Sequence, residues 1–146
     1  MKVKQLSLFL ENKPGALSRP VALLAKANFN ILTASLADAQ QFGILRFIVQ
    51  DWEKAKQLLE AAGCVVRVSD LVAIEVADEP GGLAKILAVI EKARLNVEYM
   101  YGFTLKREGK GLLAFRFDDP DGAIAALQKK GINPVRTVEL FQRFAR

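Results

Sequence analysis

A chain of 146 residues, 51% apolar and 25% charged, has room for one average domain or two small ones and the composition of an ordinary globular protein. Histidine is absent and Cys64 is the only cysteine. That excludes His-dependent general-base and Ser-His-Asp or Cys-His chemistry, internal disulfides and cysteine-based metal clusters together. The net charge of +5, from 21 basic and 16 acidic residues scattered along the chain, is too mild for a nucleic-acid footprint.

The first run, Val3 to Leu10, places Leu6, Leu8 and Leu10 on one face and Gln5, Ser7 and Phe9 on the other, the period of a strand. It is too short and too soon followed by Glu11 to be a signal peptide, and no later apolar run could span a membrane, so the expected location is the cytoplasm. Asn12-Lys13-Pro14-Gly15-Ala16-Leu17 makes a tight turn into a helix expected from about Gly15 to Ala27, with Leu17, Val21 and Leu24 inward. Pro20 lacks the N–H needed past the first turn, which predicts a distorted start with Ser18 as a secondary cap. Ile31 to Ala37 reads as a strand, Asp38 to Gln41 as a polar turn, and Phe42 to Val49 as the returning strand of a hairpin. Asp51 caps a second helix with Trp52, Ala55, Leu59 and Ala62 on its apolar side, Gly63 ends it, and Val65 to Ser69 is a fourth strand.

The second half repeats this order. Leu71 to Val76 reads as a strand, Gly81 to Ala93 as a helix with Leu83, Leu87 and Ile90 inward, and Val97 to Thr104 with Gly111 to Phe117 as a hairpin two residues longer than its counterpart. Acidic Asp118, Asp119 and Asp121 start the next helix at the positive end of its dipole, Gly131 ends it, and Val135 to Leu140 is expected as the last strand, with Phe141 to Arg146 as a tail free to dock on a neighbour.

Between residues 12–31 and 78–97, seven of twenty positions are identical at a constant offset, among them Pro14/Pro80, Gly15/Gly81, Leu17/Leu83 and Asn30/Asn96. Such in-register identity indicates duplication. The expected architecture is α+β, a ferredoxin-like β-α-β-β-α-β unit occurring twice in tandem, residues 1–70 and 71–146, with helices on one face of antiparallel sheets. The opposite faces also carry apolar residues, such as Tyr99, Tyr101 and Phe103, and need a cover. Mutual packing of the halves supplies one, and a homodimer, the favoured reading, supplies another.

Strand, Asn-x-Pro-Gly-x-Leu, helix, Asn-Ile, repeated as Asp-x-Pro-Gly-x-Leu and Asn-Val, resembles the ACT domain, a family of ferredoxin-like regulatory modules that bind amino acids. Phe42-Gly43-Ile44-Leu45-Arg46 and Val97-Glu98-Tyr99-Met100-Tyr101 further resemble small stand-alone proteins made of two such domains. The resemblance implies that the loop after each first strand and the start of each second strand line a ligand site, usually across a domain interface. In the first half these are Asn12, Gly15, Ala16, Leu17, Asn30 and Ile31, and in the second Asp78, Gly81, Gly82, Leu83, Asn96 and Val97.

The residue types suit that role independently. Bare backbone N–H groups at a helix start can receive a carboxylate, glycine admits close approach, and asparagine both donates and accepts. Charge-assisted bonds of about 1.5–3 kcal/mol each give the micromolar to millimolar affinity that suits sensing a metabolite pool. Asp78 would repel a carboxylate unless it faces the ammonium, and Asp38 and Glu98 are further candidate ammonium partners. Alternatively Asn12 and Asp78 cap helix starts, and Asn30 and Asn96 helix ends.

The expected function is therefore a non-catalytic regulatory protein that binds a free amino acid and modulates a partner enzyme or regulator, without cofactor, metal, nucleic acid or membrane. One rival is a structural module without ligand. Another is an RNA binder, since RNA-recognition motifs share this strand order. Lys110 to Phe117 begins and ends like their signature, but Leu112 and Ala114 stand where stacking aromatics are required. An enzyme is a third rival, and here no nucleophile has a base beside it.

Overall fold

The structure, a computed structural model, describes residues 1–145. Its elements are β1 (Lys2–Glu11), α1 (Ser18–Lys26), β2 (Thr33–Ala39), β3 (Phe42–Ile48), α2 (Trp52–Ala61), β4 (Val66–Ala77), α3 (Gly82–Lys92), β5 (Val97–Arg107), β6 (Lys110–Phe117), α4 (Pro120–Lys129) and α5 (Thr137–Phe144). They group into two compact units, Lys4–Ser69 and Asp70 onward together with Met1–Val3. In the first unit β1 and β2 both pair antiparallel with β3, Leu8 opposite Leu45 and Leu36 opposite Leu45. In the second, β4 and β5 both pair antiparallel with β6, Ile74 opposite Leu113 and Met100 opposite Phe115. This is the expected ferredoxin-like arrangement, present twice.

Duplication is visible in the hydrogen bonds themselves. Arg19 N–H donates to Gly15 O at 3.1 Å, and Lys85 N–H donates to Gly81 O at 3.0 Å. Phe29 N–H reaches Leu24 O at 2.9 Å and Leu95 N–H reaches Ile90 O at 3.2 Å, closing α1 and α3 behind left-handed Asn28 and Arg94. After the longer second hairpin the offset grows by two. Cys64 N–H to Leu59 O at 3.0 Å is matched by Ile132 N–H to Leu127 O at 3.0 Å.

Each unit has its own core. Leu6, Leu8, Leu24, Leu45, Phe47, Ala55 and Leu59 fill the first, and Val72, Ile74, Ile86, Ile90, Phe115, Phe117 and Leu127 the second. Alternate residues of β1, β3, β4 and β6 thus meet the helices, as period two requires. The helix α1 starts later than expected, at Ser18, so Pro20 is its third residue, where an N–H has no acceptor within the helix anyway. Without a proline there, α3 begins two equivalent positions earlier, at Gly82. Ser18 Oγ donates to Gly15 O at 3.3 Å rather than accepting as a cap. Leu17, left outside the helix, is 39% exposed, and Leu87 is 37% exposed because Ile86 takes the inward position; neither lies in the core as expected. Ala62, past the end of α2, is also exposed.

Four expected elements differ. The strands at 65–69 and 71–76 are one strand, β4, because Ser69-Asp70 carries no turn signal and the repeat boundary falls inside an extended run. Asp38 and Ala39 belong to β2, leaving only Gln40-Gln41 as the hairpin turn, with Gln40 left-handed at φ 62°. The expected last strand at 135–140 is reduced to one ladder bond, Val135 N–H to Ala73 O at 2.8 Å, and the chain then turns into α5. Pro134 lacks the donor a longer ladder needs, and Leu140 and Phe144, four residues apart, make one helical face. Residues 141–144 of the expected tail are in α5; Arg146 lies outside the described residues.

In the second unit α5 covers the sheet face opposite α3 and α4. Leu140 is fully buried, the Phe144 ring lies 5.8 Å from the Phe103 ring, and Arg143 pairs with Glu75, which alternates with core residues Ile74 and Val76 along β4. The expected cover of that face by a neighbouring domain or subunit is thus supplied for Phe103 by the unit's own C-terminal helix. Tyr99 and Tyr101 stack on each other, centroids 6.5 Å apart.

Candidate functional site

The two Pro-Gly loops have one backbone design. Gly15 and Gly81 are both left-handed at φ 85°, a conformation glycine reaches without strain. In each loop the following residue is already bonded, Ala16 N–H to Lys13 O at 3.3 Å and Gly82 N–H to Glu79 O at 3.0 Å. Among the described residues, the N–H groups of Gly15, Leu17, Gly81 and Leu83 have no backbone acceptor outside the helices and strands.

The first loop borders a cavity of about 690 Å³ inside the first unit, walled by Lys13, Pro14, Gly15, Leu17, Ser18, Val21, Ile31, Ala34, Leu36 and Leu45. Of the residues expected here, Gly15, Leu17 and Ile31 line it. Ala16 turns toward the opposite side of α1, and exposed Asn30 is not in the wall. Asn12 neither caps α1 nor lines the cavity. Its N–H donates to Gln41 O at 2.9 Å and its Nδ2 to Gln40 O at 3.0 Å, which ties the loop to the tip of the β2–β3 hairpin. Lys13 Nζ lies 2.8 Å from Glu11 Oε2; that hydrogen bond and the lysine's charge hold the exposed Glu11 carboxyl below its ordinary range. Sequence reasoning missed Lys13, although it stands within the quoted motif as the one cation in the wall. It also missed Ala34, Leu36 and Leu45, which reach the loop only through β2–β3 pairing.

The second loop borders a smaller cavity of about 490 Å³, lined by Val76, Ala77, Asp78, Glu79, Pro80, Leu83, Gly111 and Leu113. Asp78 and Leu83 are in its wall; Gly81, Gly82, Asn96 and Val97 are not. Asp78 repeats the backbone tie of Asn12, its N–H donating to Gly109 O at 2.9 Å, but its carboxylate receives Lys106 Nζ at 2.7 Å. Gly82 is buried so tightly against the carbonyl of Ala77 that no Cβ fits, which accounts for glycine there by packing alone. Asn96 N–H donates to Asp118 Oδ1 at 2.9 Å and Asp118 N–H to Asn96 O at 3.1 Å, so this residue anchors the start of β5, while Val97 packs against the core. Neither Asn30 nor Asn96 ends a helix, since Asn28 and Arg94 hold the left-handed positions there. Glu98 pairs with Arg116 at 3.5 Å.

Among the described residues, no group of three or more Asp, Glu, Cys or His side chains is placed to hold a metal ion, and no helix is long and apolar enough to cross a membrane. A family model described as an ACT domain pair matches residues 1–142. Protein BT0572 from Bacteroides thetaiotaomicron has a similar crystal structure, with TM-score 0.89 and 35% identity over 97% of both chains. The ligand-free regulatory subunit of aspartate kinase from Thermus thermophilus shares the fold at TM-score 0.63 and 16% identity, over 86% of this chain and 91% of that one. The corresponding subunit from Thermus flavus does so at TM-score 0.59 and 16% identity, over 86% of this chain and 90% of that one. No curated protein matches the chain. With two Pro-Gly loops of one design on two ferredoxin-like units, and a family model covering all but the last few residues, the chain belongs to the ACT domain pair family.

Proposed function

We propose that this chain is a non-catalytic regulatory protein whose first Pro-Gly loop binds a free amino acid, and whose ligand-bound form alters the activity of a partner enzyme or regulator in the cytoplasm. The observation that carries this reading is the cavity of about 690 Å³ at the first loop. It combines N–H groups at Gly15 and Leu17, which have no backbone acceptor among the described residues outside the helices and strands, with an apolar wall of Val21, Ile31, Ala34 and Leu45. Backbone donors at a helix start suit the α-carboxylate, and the wall suits an apolar side chain. In this reading Asn12, Ala16 and Asn30 shape the surrounding loop and the strand entry.

A second subunit completes the site. Leu17 and Leu36 stand 39% and 54% exposed at its mouth, where a homodimer partner would cover them and bring groups for the ammonium. Residues 1–70 and 71–146 act as the two ACT-like domains, and ligand bound at their surfaces shifts the population of one packing over another. Thermal melting of the full chain with each of the twenty amino acids tests this. A rise in Tm with one or a few at millimolar concentration supports sensing; no rise with any of them sinks it.

At the second loop a purely structural reading has its own support. The Asp78–Lys106 ion pair occupies the carboxylate that would face an ammonium, and the Gly82 packing explains the motif glycine without a ligand. Gly81, Leu83, Asn96 and Val97 hold the fold in that reading, and the first loop is the sensing one.

A further inference from the structure

A second cavity of about 660 Å³ lies in the first unit on the other side of α1 from the loop site, walled by β1 residues 8–11, by α1 and by the chain leaving α2. Ser18 and Val21 of α1 face the loop cavity, whereas Arg19, Pro20, Ala22, Leu23 and Lys26 face this one, the spacing of a single helical stripe, with Ala16 of the preceding turn beside them. Opposite them, β4 begins only at Val66, so Cys64 and Val65 form a wall beside Leu8 to Glu11 rather than a ladder. The floor is apolar, made by Leu8, Leu10, Pro20 and Leu23. The rim is cationic. Glu11 is already matched by Lys13 at 2.8 Å, while among the described residues no carboxylate lies within ion-pair distance of Arg19 or Lys26. These two stand two helical turns apart, about 10 Å along the axis, one near each end of the apolar stripe.

We propose that this cavity is a separate binding site for an amphipathic monocarboxylate, a small molecule with an apolar chain or ring and one carboxylate head. The apolar body fills the space between β1 and α1, and the head is held at the rim by Arg19 or Lys26. A volume of about 660 Å³ is within the range of small-molecule sites. The unmatched cations select a carboxylate over a neutral compound of the same shape, because a planar guanidinium matches a carboxylate with two parallel hydrogen bonds. A polar amino acid would gain little from this floor, so the site differs in ligand class from the loop cavity and does not depend on the reading given to that loop.

The half-buried Cys64 thiol, the only one in the chain, reports occupancy. Modification of the full chain by the uncharged reagent N-ethylmaleimide is followed by mass spectrometry, with decanoate below its micelle concentration, with 1-decanol, or with leucine as probe. Decanoate is expected to slow modification at least fivefold, decanol and leucine less than twofold. The double variant Arg19→Gln, Lys26→Gln, with unchanged melting and unchanged basal reactivity, is expected to lose the decanoate effect. Methyl NMR shifts of Leu8 and Leu23 provide a second readout independent of the thiol. Absence of both protection and methyl shifts overturns the proposal, as does equal protection by decanol or undiminished protection in the double variant.

Discussion

Lys106 Nζ donates to Asp78 Oδ2 at 2.7 Å, in the place where Asn12 of the first loop donates its amide to Gln40 O at 3.0 Å. Both contacts fasten a Pro-Gly loop to the hairpin of its own unit. The first uses a neutral amide and leaves no charge; the second uses a carboxylate with its own cation. Both side chains of the ion pair are more than half exposed, so it contributes under about 1 kcal/mol. The duplicated loops therefore keep one backbone and diverge in side-chain chemistry. Asn12→Ala is expected to cost about 1 kcal/mol through the lost hydrogen bond and to abolish the amino-acid-dependent rise in Tm by loosening the first loop. Asp78→Ala should leave that rise intact. Denaturant unfolding together with thermal melts of both variants separates fold from binding, and equal loss in the two would contradict the division of roles.

Gly82 sits against the Ala77 carbonyl with no room for a Cβ, whereas nothing lies within 4 Å of the position a Cβ would take on Gly81 or Gly15. The adjacent glycines of the second loop thus answer to different constraints. Gly82→Ala must push α3 away from the end of β4, an overpacking cost of about 1–3 kcal/mol or somewhat more. Gly81→Ala and Gly15→Ala meet open space but must adopt φ near 85°, at about 1–2 kcal/mol each. Urea midpoints are expected to rank Gly82→Ala as the least stable of the three.

Much of this fold can be read from residue patterns alone. Period-two runs such as Leu6, Leu8, Leu10 mark their strands, glycines at 63 and 131 mark helix ends, and the in-register Pro-Gly pairs mark the duplication. What escapes is whatever depends on tertiary competition. Pro20 announces a disturbed helix start but not that α1 waits until Ser18, and the lack of a turn signal at Ser69-Asp70 permits an unbroken strand without requiring one. Residues 135–140 carry both a short apolar alternation and a Leu140–Phe144 helical pair, and the free face of the second sheet decides for the helix. Half of the loop site is legible for the same reason. Gly15, Leu17 and Ile31 belong to a motif, but Leu36 and Leu45 join them only through strand register. Asn12 resembles a ligand or capping residue in sequence, and only the hairpin tip beside it reveals its use.

The Glu11–Lys13 pair gives a pH-dependent signature at the first loop. Lys13 lowers the Glu11 carboxyl pKa in the folded chain, first through its hydrogen bond and then through its charge. A lowered folded-state value means the pair's contribution is fully present above the unfolded-state pKa and is lost as pH falls through the folded one. An NMR titration of Glu11 should give a midpoint below the ordinary carboxylate range, and Lys13→Gln should restore it. Because the pair is exposed, high salt should have the same effect as the substitution.

Arg143 is the charged residue on which attachment of α5 turns. Its side chain is only 10% exposed, and its guanidinium meets Glu75 of β4 at 2.6 Å and Glu139 of its own helix at 2.6 Å. Burial disfavours its charge, but the hydrogen bonds to Glu139 and Glu75 outweigh that and raise its pKa further. The arginine therefore keeps its charge, and its substitution is the direct way to break the contact. Arg143→Ala removes the arm and leaves Glu75 with the more distant Lys110, 3.7 Å away. Full burial would make the loss about 3–5 kcal/mol; with both carboxylates partly solvated, about 1–3 kcal/mol is expected. Loss of α5 would uncover Phe103 and its neighbours on that sheet face. Amide hydrogen exchange should accelerate across residues 137–144 in Arg143→Ala, while α3 and α4 keep their protection, and binding of a hydrophobic dye should rise. Leu140→Ala should have the same signature without altering any charge. If instead α3 exchanged as fast as α5, the helix would be an inseparable part of the core rather than a cover fastened to one face of it.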